Sequence, residues 1–439
     1  MEPAGRIRTI SAASLTAAVA GETIGIGIFL TPADMVRSLG SPFWVLCTWL
    51  FVGVLTLCGV LSYGRLASRF PESGGLYVYL REAYGSRIAF LYGWMSLLVI
   101  DPGLTAAWAI GLAGYTSSLI PLSPLARHAV AVGALLSIAS LNLLHASLGV
   151  SFLRYVTWLK LGLLGLLTLW PMIFRLGDWS HLALTTARPE GAQPLSMALA
   201  GAVLAAFISF GGWWDASKLV GQVGAPERVQ RRAMLLGVLL VTLVYVAIST
   251  AFLYVIPSRQ VSQDAFVSQF GAALFGPLGA RAMAAIVCLC LVSSLAAYMA
   301  TAPHVYCAMA RDGLFFASLG RLHPRFQTPA RAILLETALA CVLVFSGTFQ
   351  EVLAYFVPAA IVFLGLSVAS LLRGPQHATR RGQLLAPVLF LLFVTAMLLL
   401  LVSVSPRRSL LGMAIVALGL LLAKPSASDR RARTANRGA

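Results

Sequence analysis

Twelve apolar runs follow one another along the chain, separated by short polar joints, near residues 10–37, 43–66, 89–115, 126–145, 151–173, 196–219, 233–256, 280–310, 331–348, 351–372, 384–404 and 408–424. A helix crossing a hydrocarbon core of about 30 Å needs about 20 such residues, so each run is long enough for one span. The pattern predicts an all-α membrane protein with twelve transmembrane helices. The first run is too long for a signal peptide, contains glycines and Pro32, and lacks a small-residue cleavage pattern, so it is read as span 1. No joint is long and polar enough to form a separate soluble domain. A single membrane domain is therefore expected, with a cytoplasmic N-terminus at 1–9, a core over 10–372, two further spans over 384–424 and a basic cytoplasmic tail at 425–439.

Composition sharpens this picture. Of the 439 residues, 59% are apolar and 11% are charged, against about 25% charged in an ordinary soluble domain. A soluble fold is excluded on that ground. The net charge of +17 does not mark a nucleic-acid surface, because the basic residues are spread over many short joints and a ragged tail. It reads instead as topology. With the N-terminus inside, Arg65, Arg69, Arg81, Lys218, Arg231, Arg311 and the tail fall on the cytoplasmic side, where Lys and Arg concentrate. Far fewer fall outside, and Arg407–Arg408 is the one local violation. The excess of arginine over lysine fits the codon habit of a GC-rich bacterial genome, so a bacterial inner membrane is expected, with both termini cytoplasmic. The six cysteines lie in or beside apolar runs without a CxxC pair, which points to neither disulfides nor zinc, nor to a disulfide-linked companion subunit.

Two spans carry glycine doublets near their middles. Span 1 reads Gly21-Glu22-Thr23-Ile24-Gly25-Ile26-Gly27, and span 6 reads Ser209-Phe210-Gly211-Gly212-Trp213-Trp214-Asp215. Each glycine weakens a helix by about 1 kcal/mol relative to alanine. Spans 1–5 occupy about 10–173 and spans 6–10 about 196–372, so each doublet sits in the first span of a five-helix unit. Matched interruptions of this kind mark an inverted-repeat transporter with its site at the midplane. Unwinding frees the N–H groups of Gly25, Ile26 and Gly27 at a half-helix start, where they can hold a carboxylate. It frees the carbonyls of Thr23, Ile208 and Gly211 to hold an ammonium group. Such bare backbone is tolerated in a bilayer only where it lines a cavity. The alternative is that the glycines merely allow close helix packing.

Four stretches resemble the amino acid–polyamine–organocation (APC) permeases. They are Gly25-Ile26-Gly27-Ile28-Phe29-Leu30-Thr31-Pro32; Arg69-Phe70-Pro71-Glu72-Ser73-Gly74-Gly75 running on to Gly85; Phe210-Gly211-Gly212-Trp213 followed by Ala225-Pro226-Glu227-Arg228; and Ala308-Met309-Ala310-Arg311-Asp312-Gly313 leading to His323-Pro324. The match covers residues 10–372. The resemblance implies a LeuT-type 5+5 inverted repeat with broken helices 1 and 6, plus two extra C-terminal helices. It also implies secondary active amino acid transport by alternating access, proton-coupled and sodium-independent, with no cofactor. By similarity, Gly25, Ile26 and Gly27 bind the substrate carboxylate. Thr23, Ile208 and Gly211 bind its amine, while Val99, Ile100 and Trp214 shape the side-chain pocket. Three departures stand out: Ile26 replaces a small residue, Gln222 replaces an acid, and the aromatic gate expected near Ile208 falls to Phe207 or Phe210.

A charge at the centre of a span costs about 2.5–3.5 kcal/mol on insertion scales, so each such residue is a functional candidate. Lys160 lies about ten residues into span 5, too deep to snorkel easily. Members of the family that work without sodium carry a lysine there, so Lys160 is expected to contact the Gly21–Gly25 backbone and Ser293 or Ser294 and to couple its protonation to transport, with a static pair to Glu22 as the alternative. Glu22, Asp101 and Asp215 are candidates for substrate contact or coupling, the alternatives being structural pairing for Glu22, a helix cap for Asp101 and contact with the cytoplasmic loop for Asp215, and Glu336 reads as interfacial. Asp101 precedes Pro102 and Gly103 at an expected local break. Three carboxylates against one lysine leave the expected cavity negative, which favours a basic amino acid or polyamine. The segment 74–87 reads as an amphipathic helix able to form part of an inner gate.

Other classes lack their chemistry. No two histidines stand at metal-ligand spacing, no HExxH occurs, and there is no Walker loop to drive a pump. An exchanger of amino acids or polyamines, and a non-transporting sensor on the same scaffold, remain alternatives within this architecture.

Overall fold

The computed structural model describes residues 12–70, 72, 74–144, 146–182, 188, 193–219, 227–261, 266–326, 328–345, 349–372, 384–404 and 406–422. The expectations for 1–9, for the tail at 425–439 and for Gln222 lie outside the described residues. Among those described, every regular element is helical.

The first run divides into α1 (Ala12–Thr23) and α2 (Gly27–Leu39), bent by 47° across residues 24–26. Gly25 and Gly27 lower the cost of leaving the helix here. The chain continues through α3 (Pro42–Arg69), the short α4 (Leu76–Tyr84) and α5 (Ser86–Met95). One π turn, Ser96–Ile100, joins α5 to α6 (Asp101–Leu119). The local break expected at Asp101 is therefore a widened ladder. Pro102 has no N–H to give, and the Asp101 N–H bonds Ser96 O, five residues back.

Next come α7 (Pro124–Leu144), α8 (Ala146–Ile173) and α9 (Leu195–Ser209). The sixth run stops being α-helical at Ser209 and resumes as a 3-10 turn over Asp215–Leu219. The remaining helices are α10 (Glu227–Val255), α11 (Phe266–Thr301), α12 (Pro303–Arg311), α13 (Ala330–Val344), α14 (Phe349–Ala369), α15 (Leu385–Val404) and α16 (Pro406–Leu422). A corner at Phe275 and Gly276, just before Pro277, divides α11 into two unequal pieces. Among the described residues seven helical segments are long and apolar enough to cross a membrane, or eight if the bent α1–α2 pair is one span.

Packing places the breaks at the centre. α1 lies against α8, α10 and α11; α2 lies against α9; and α6 packs on α7, α11, α13 and α14. α15 covers α3 and α14, and α16 covers α14 and α5. Phe51 and Val54 on α3 and Leu392 and Leu399 on α15 point outward and are exposed, as lipid-facing positions should be. Lipid tails give helices no hydrophobic reason to associate, so close packing and buried polar contacts hold the bundle. Such contacts include Tyr63 with Ser367 at 2.9 Å and the Tyr84 hydroxyl donating to Leu366 O at 2.8 Å. Each is worth about 0.6 kcal/mol on average in a bilayer.

Candidate substrate-binding site

The two breaks meet backbone to backbone. Gly212 has φ +106°, and a Cβ there would lie 3.0 Å from Glu22 O, so only glycine lets the sixth run pass so close to the end of α1. Gly27 is equally confined, since an added Cβ would meet Ser209 Oγ at 2.5 Å. Beside it, Thr31 and Ser209 share a hydroxyl hydrogen bond of 2.8 Å that ties α2 to α9. Within the breaks the chain makes tight local turns: Gly25 N–H donates to Thr23 O at 2.9 Å and Gly211 N–H to Ile208 O at 3.0 Å. The Tyr245 hydroxyl on α10 stands 2.9 Å from Thr23 O and 2.8 Å from Ser209 O, bridging the two breaks. Its single hydrogen serves one carbonyl at a time.

A cavity of about 260 Å³ opens between the breaks. Thr23, Gly25, Ile26, Gly27, Ile208, Gly211 and Trp214, all named from the sequence, line it. Leu30, Thr31 and Asp34 extend it along α2, and Ala205 and Phe207 along α9. Leu104 and Trp108 of α6 and Val357, Ala360 and Ile361 of α14 complete an apolar wall. Among the described residues that line it, Asp34 is the one charged side chain. The cavity thus runs from the breaks toward the α2–α9 end. Of the two candidate gating aromatics, Phe207 lines it, whereas Phe210 packs behind the break on Trp49 and Tyr245.

Ile100 is placed differently. It lines a second, water-sized cleft of about 10 Å³ together with Asp101, Asp215, Lys218 and Tyr298. Trp214, Ala360 and Leu364 border both spaces, so the indole of Trp214 is a wall between them. Val99 borders neither.

The charges form two separate groups. Lys160 Nζ is wholly buried and donates to Gly21 O at 3.0 Å, Ile24 O at 2.5 Å and Ser294 Oγ at 3.2 Å. Ser294 Oγ also reaches Gly21 O at 3.3 Å and Ile24 O at 3.1 Å, so lysine and serine together tie α1 to α8 and α11. The second group lies behind Trp214. Lys218 Nζ pairs with Asp215 at 2.7 Å and Asp101 at 3.7 Å, and sits 4.9 Å above the Tyr298 ring. Asp101 accepts from Ser96 Oγ at 2.5 Å, from the Tyr298 hydroxyl at 2.5 Å and from the Tyr306 hydroxyl.

Three readings of the charges are corrected here. Lys218, assigned to the cytoplasmic joint, is 2% exposed and neutralises two aspartates. Glu336, read as interfacial, is 1% exposed and accepts from Thr105 Oγ1 at 3.2 Å. None of Glu22, Asp101 and Asp215 lines the large cavity, so the charge count that favoured a basic substrate does not apply to it. The i,i+3 spacing of Asp215 and Lys218 was a signal available for their pairing. Nothing in the sequence set Tyr245, Tyr298 or Tyr306 apart from ordinary packing aromatics.

On the side away from the cavity, α4 closes over the cluster. Gly74 N–H donates to Lys218 O at 3.4 Å, and the Tyr77 hydroxyl donates to Asp312 Oδ2 at 2.7 Å. Arg81 pairs with Asp312 at 2.5 Å, Glu72 at 2.8 Å and Glu82 at 2.9 Å. Burial, helped by the bond to Asp312, holds the Tyr77 phenol above its ordinary range. Two of the sequence motifs, around Glu72–Arg81 and around Asp312, therefore meet at this mouth.

Apolar spanning helices, two of the runs broken at the centre of the bundle, and a one-sided cavity between the breaks define a multi-pass membrane protein of the transporter class. The chain belongs to the amino acid permease family of the APC superfamily, whose family model matches residues 10–422. It is similar to the serine/threonine exchanger SteT of Bacillus subtilis (strain 168), 28% identical over 330 residues that cover 74% of each chain. It is 27% identical over 428 residues to the Asc-type amino acid transporter 1 of Mus musculus, covering 94% of this chain and 80% of that one. The cystine/glutamate transporter of Homo sapiens is 26% identical over 415 residues, 92% of this chain and 82% of its own. These relatives are transporters and not enzymes.

Proposed function

We propose that the protein is a secondary active transporter of small neutral amino acids, working by alternating access, independent of sodium and coupled to protons. The carrying observation is the cavity: about 260 Å³, walled by apolar side chains and reached by the backbone of both breaks. In this reading the N–H groups of Ile26 and Gly27, joined by that of Gly25 once its bond to Thr23 O opens, take the substrate carboxylate, and the dipole of α2 favours the negative charge at its N-terminus. The carbonyls of Ile208 and Gly211 take the ammonium group. Thr23 O joins them once the Tyr245 hydroxyl turns to Ser209 O. An apolar side chain then rests against Trp108, Trp214 and Ile361.

The scaffold in this reading is a twelve-span 5+5 inverted repeat, with units over 10–173 and 196–372 and two added spans over 384–424. It sits in a bacterial inner membrane with both ends cytoplasmic, as the Lys and Arg distribution favours. Lys160 is the fixed cation that makes sodium unnecessary, since its ammonium already joins the α1 carbonyls to Ser294.

The test is a thermal-stability screen of the purified protein against twenty amino acids and common polyamines, because a bound ligand stabilises by RT ln(1 + [L]/Kd). The best stabiliser is then used in counterflow into liposomes. Neutral amino acids are expected to stabilise and to exchange. Stabilisation by arginine, lysine or polyamines alone, or no saturable counterflow, would refute the proposal. A second reading, obligatory exchange, is favoured by the similarity to an exchanger. Uptake that requires an amino acid inside the vesicle, and ignores an imposed pH gradient, would select it.

A further inference from the structure

Behind Trp214 lie more buried acids than one lysine can neutralise. Asp101 and Asp215 share Lys218, and Asp101 also receives three hydroxyl donors. Glu22 and Glu336, 2% and 1% exposed, form no ion pair among the described residues, and one oxygen of each, Oε2, has no hydrogen-bond partner. An ionised carboxylate kept from water without a cation is far costlier than the neutral acid with one unpaired atom. Both are therefore places for a proton. They differ in what holds them. Glu336 is on α13, bonded to Thr105 of α6, within one packed pair of continuous helices. Glu22 is the next-to-last residue of α1, its carbonyl pressed against Gly212 of the other break.

We propose that Glu22 is the carboxyl that carries the coupled proton, held neutral while the breaks are closed on one another and released when they part. This rests on the proton-coupled reading above. Thr23, its neighbour, lines the cavity, while the Glu22 carboxyl lies on the closed side of the break. The elements packed on that end of α1 are the 3-10 turn after α9, which carries Asp215 and Lys218, and α11, which carries Thr301. Lys160 of α8 and Tyr245 of α10 approach α1 too, but they are engaged on the carbonyls of Gly21, Ile24 and Thr23. Lys218 is held by its two aspartates, 2.7 Å from Asp215 and 3.7 Å from Asp101, and makes no ion pair with Glu22. Parting of the breaks admits water to Glu22. Its O–H bond then breaks, the proton passes to water on that side, and the carboxylate turns toward Lys218. On the return that side closes first, and the carboxylate takes a proton from water in the cavity across the break beside Thr23, which lines the cavity, so one proton crosses per cycle in the same direction as one zwitterion.

The test uses the full chain in liposomes with a mixture of radiolabelled L-serine, L-threonine, L-alanine and L-leucine. Uptake driven by an imposed pH gradient is compared with counterflow at equal pH, in wild type, Glu22→Gln and Glu22→Asp. In Glu22→Gln the ratio of gradient-driven uptake to counterflow is expected to fall about tenfold or more, and Glu22→Asp is expected to restore it with a displaced pH profile. A Glu22→Gln protein that keeps the wild-type ratio overturns the assignment while leaving proton coupling intact. A wild type that exchanges but ignores the gradient overturns coupling itself, a distinguishable failure. If Glu22→Gln does not fold, Glu22→Asp decides: an unaltered pH profile overturns the assignment and a displaced one supports it.

Discussion

Replacing Gly27 by alanine tests whether the two breaks work as one unit. The added Cβ would lie 2.5 Å from Ser209 Oγ, 2.7 Å from Ser209 Cβ and 2.9 Å from Ser209 Cα, where about 3.5–4.0 Å is normal between carbons. A flexible side chain can rotate away, but the Cα cannot, so α2 and α9 must separate by about 0.6 Å or more. Overpacking of this kind costs about 1–3 kcal/mol. The 2.8 Å bond between Thr31 and Ser209 is lost with it, adding about 0.5–1.5 kcal/mol. The sum, about 1.5–4.5 kcal/mol against the state seen here, lowers exchange roughly tenfold to a thousandfold at about 1.4 kcal/mol per decade. Counterflow measures it. Adding Ser209→Gly removes the two shorter contacts but leaves the Cα and costs about 0.5 kcal/mol of helix propensity, so the double variant should recover only part of the loss. A single variant that exchanges within about twofold of wild type would refute the close coupling of the breaks.

Lys160→Gln shortens the side chain and discharges it, forfeiting hydrogen bonds to charge worth about 1.5–3 kcal/mol each; uptake should drop at least about tenfold. Wild-type uptake should be equal in sodium and potassium buffers, and a sodium requirement would end the reading of Lys160 as the resident cation. Trp214→Ala removes the wall shared by the two cavities, so the stability screen should shift by about tenfold in apparent affinity toward larger or cationic side chains; an unaltered ranking would count against that wall. At the closed mouth, the folded-state value of Tyr77 lies above its ordinary 10. A group raised in this way contributes stability that is present below pH 10 and lost as pH rises toward the folded value. Thermal stability should accordingly be flat from about pH 7 to 9 and fall above pH 10, and Tyr77→Phe should blunt that fall. An identical alkaline profile in the variant would show that this contact does not titrate.

The places where the helices break could be read from the sequence because helix propensity is local. Gly25 and Gly27 weaken the ladder wherever they stand, and the bend falls between Thr23 and Gly27. Lys160 was legible for a related reason, since a lysine ten residues into an apolar run must find partners inside the bundle. Lys218 was not. It stands at the last positions of the sixth run and reads as the start of a joint, and only the turn of the chain after Gly212 carries it back among the helices. Glu336 was misread because depth along a run is not burial, and α13 packs against α6 at that point. Tyr245 was invisible for want of any pattern: its role comes from two carbonyls 186 residues apart in sequence, at Thr23 and Ser209, that approach it from opposite sides.

The same geometry explains how an apolar cavity can coexist with so many buried charges. A zwitterion needs the backbone ends of two helices, which carry partial charges and no counterions, and it needs a side-chain wall that does not compete for them. Asp101, Asp215 and Lys218 stay on the far side of Trp214 and neutralise one another in part, so their field at the substrate is weaker than a count of carboxylates implies. What they influence instead is the closed end of the break, where Lys218 O also accepts the Gly74 N–H that docks α4. Opening that end must pull the turn at 215–219 from α4, disturb its ion pairs and expose Glu22 in one movement. Under the proposed cycle the step that releases the amino acid is therefore also the step that admits water to the buried acids, because Gly212 and Glu22 part in the same movement.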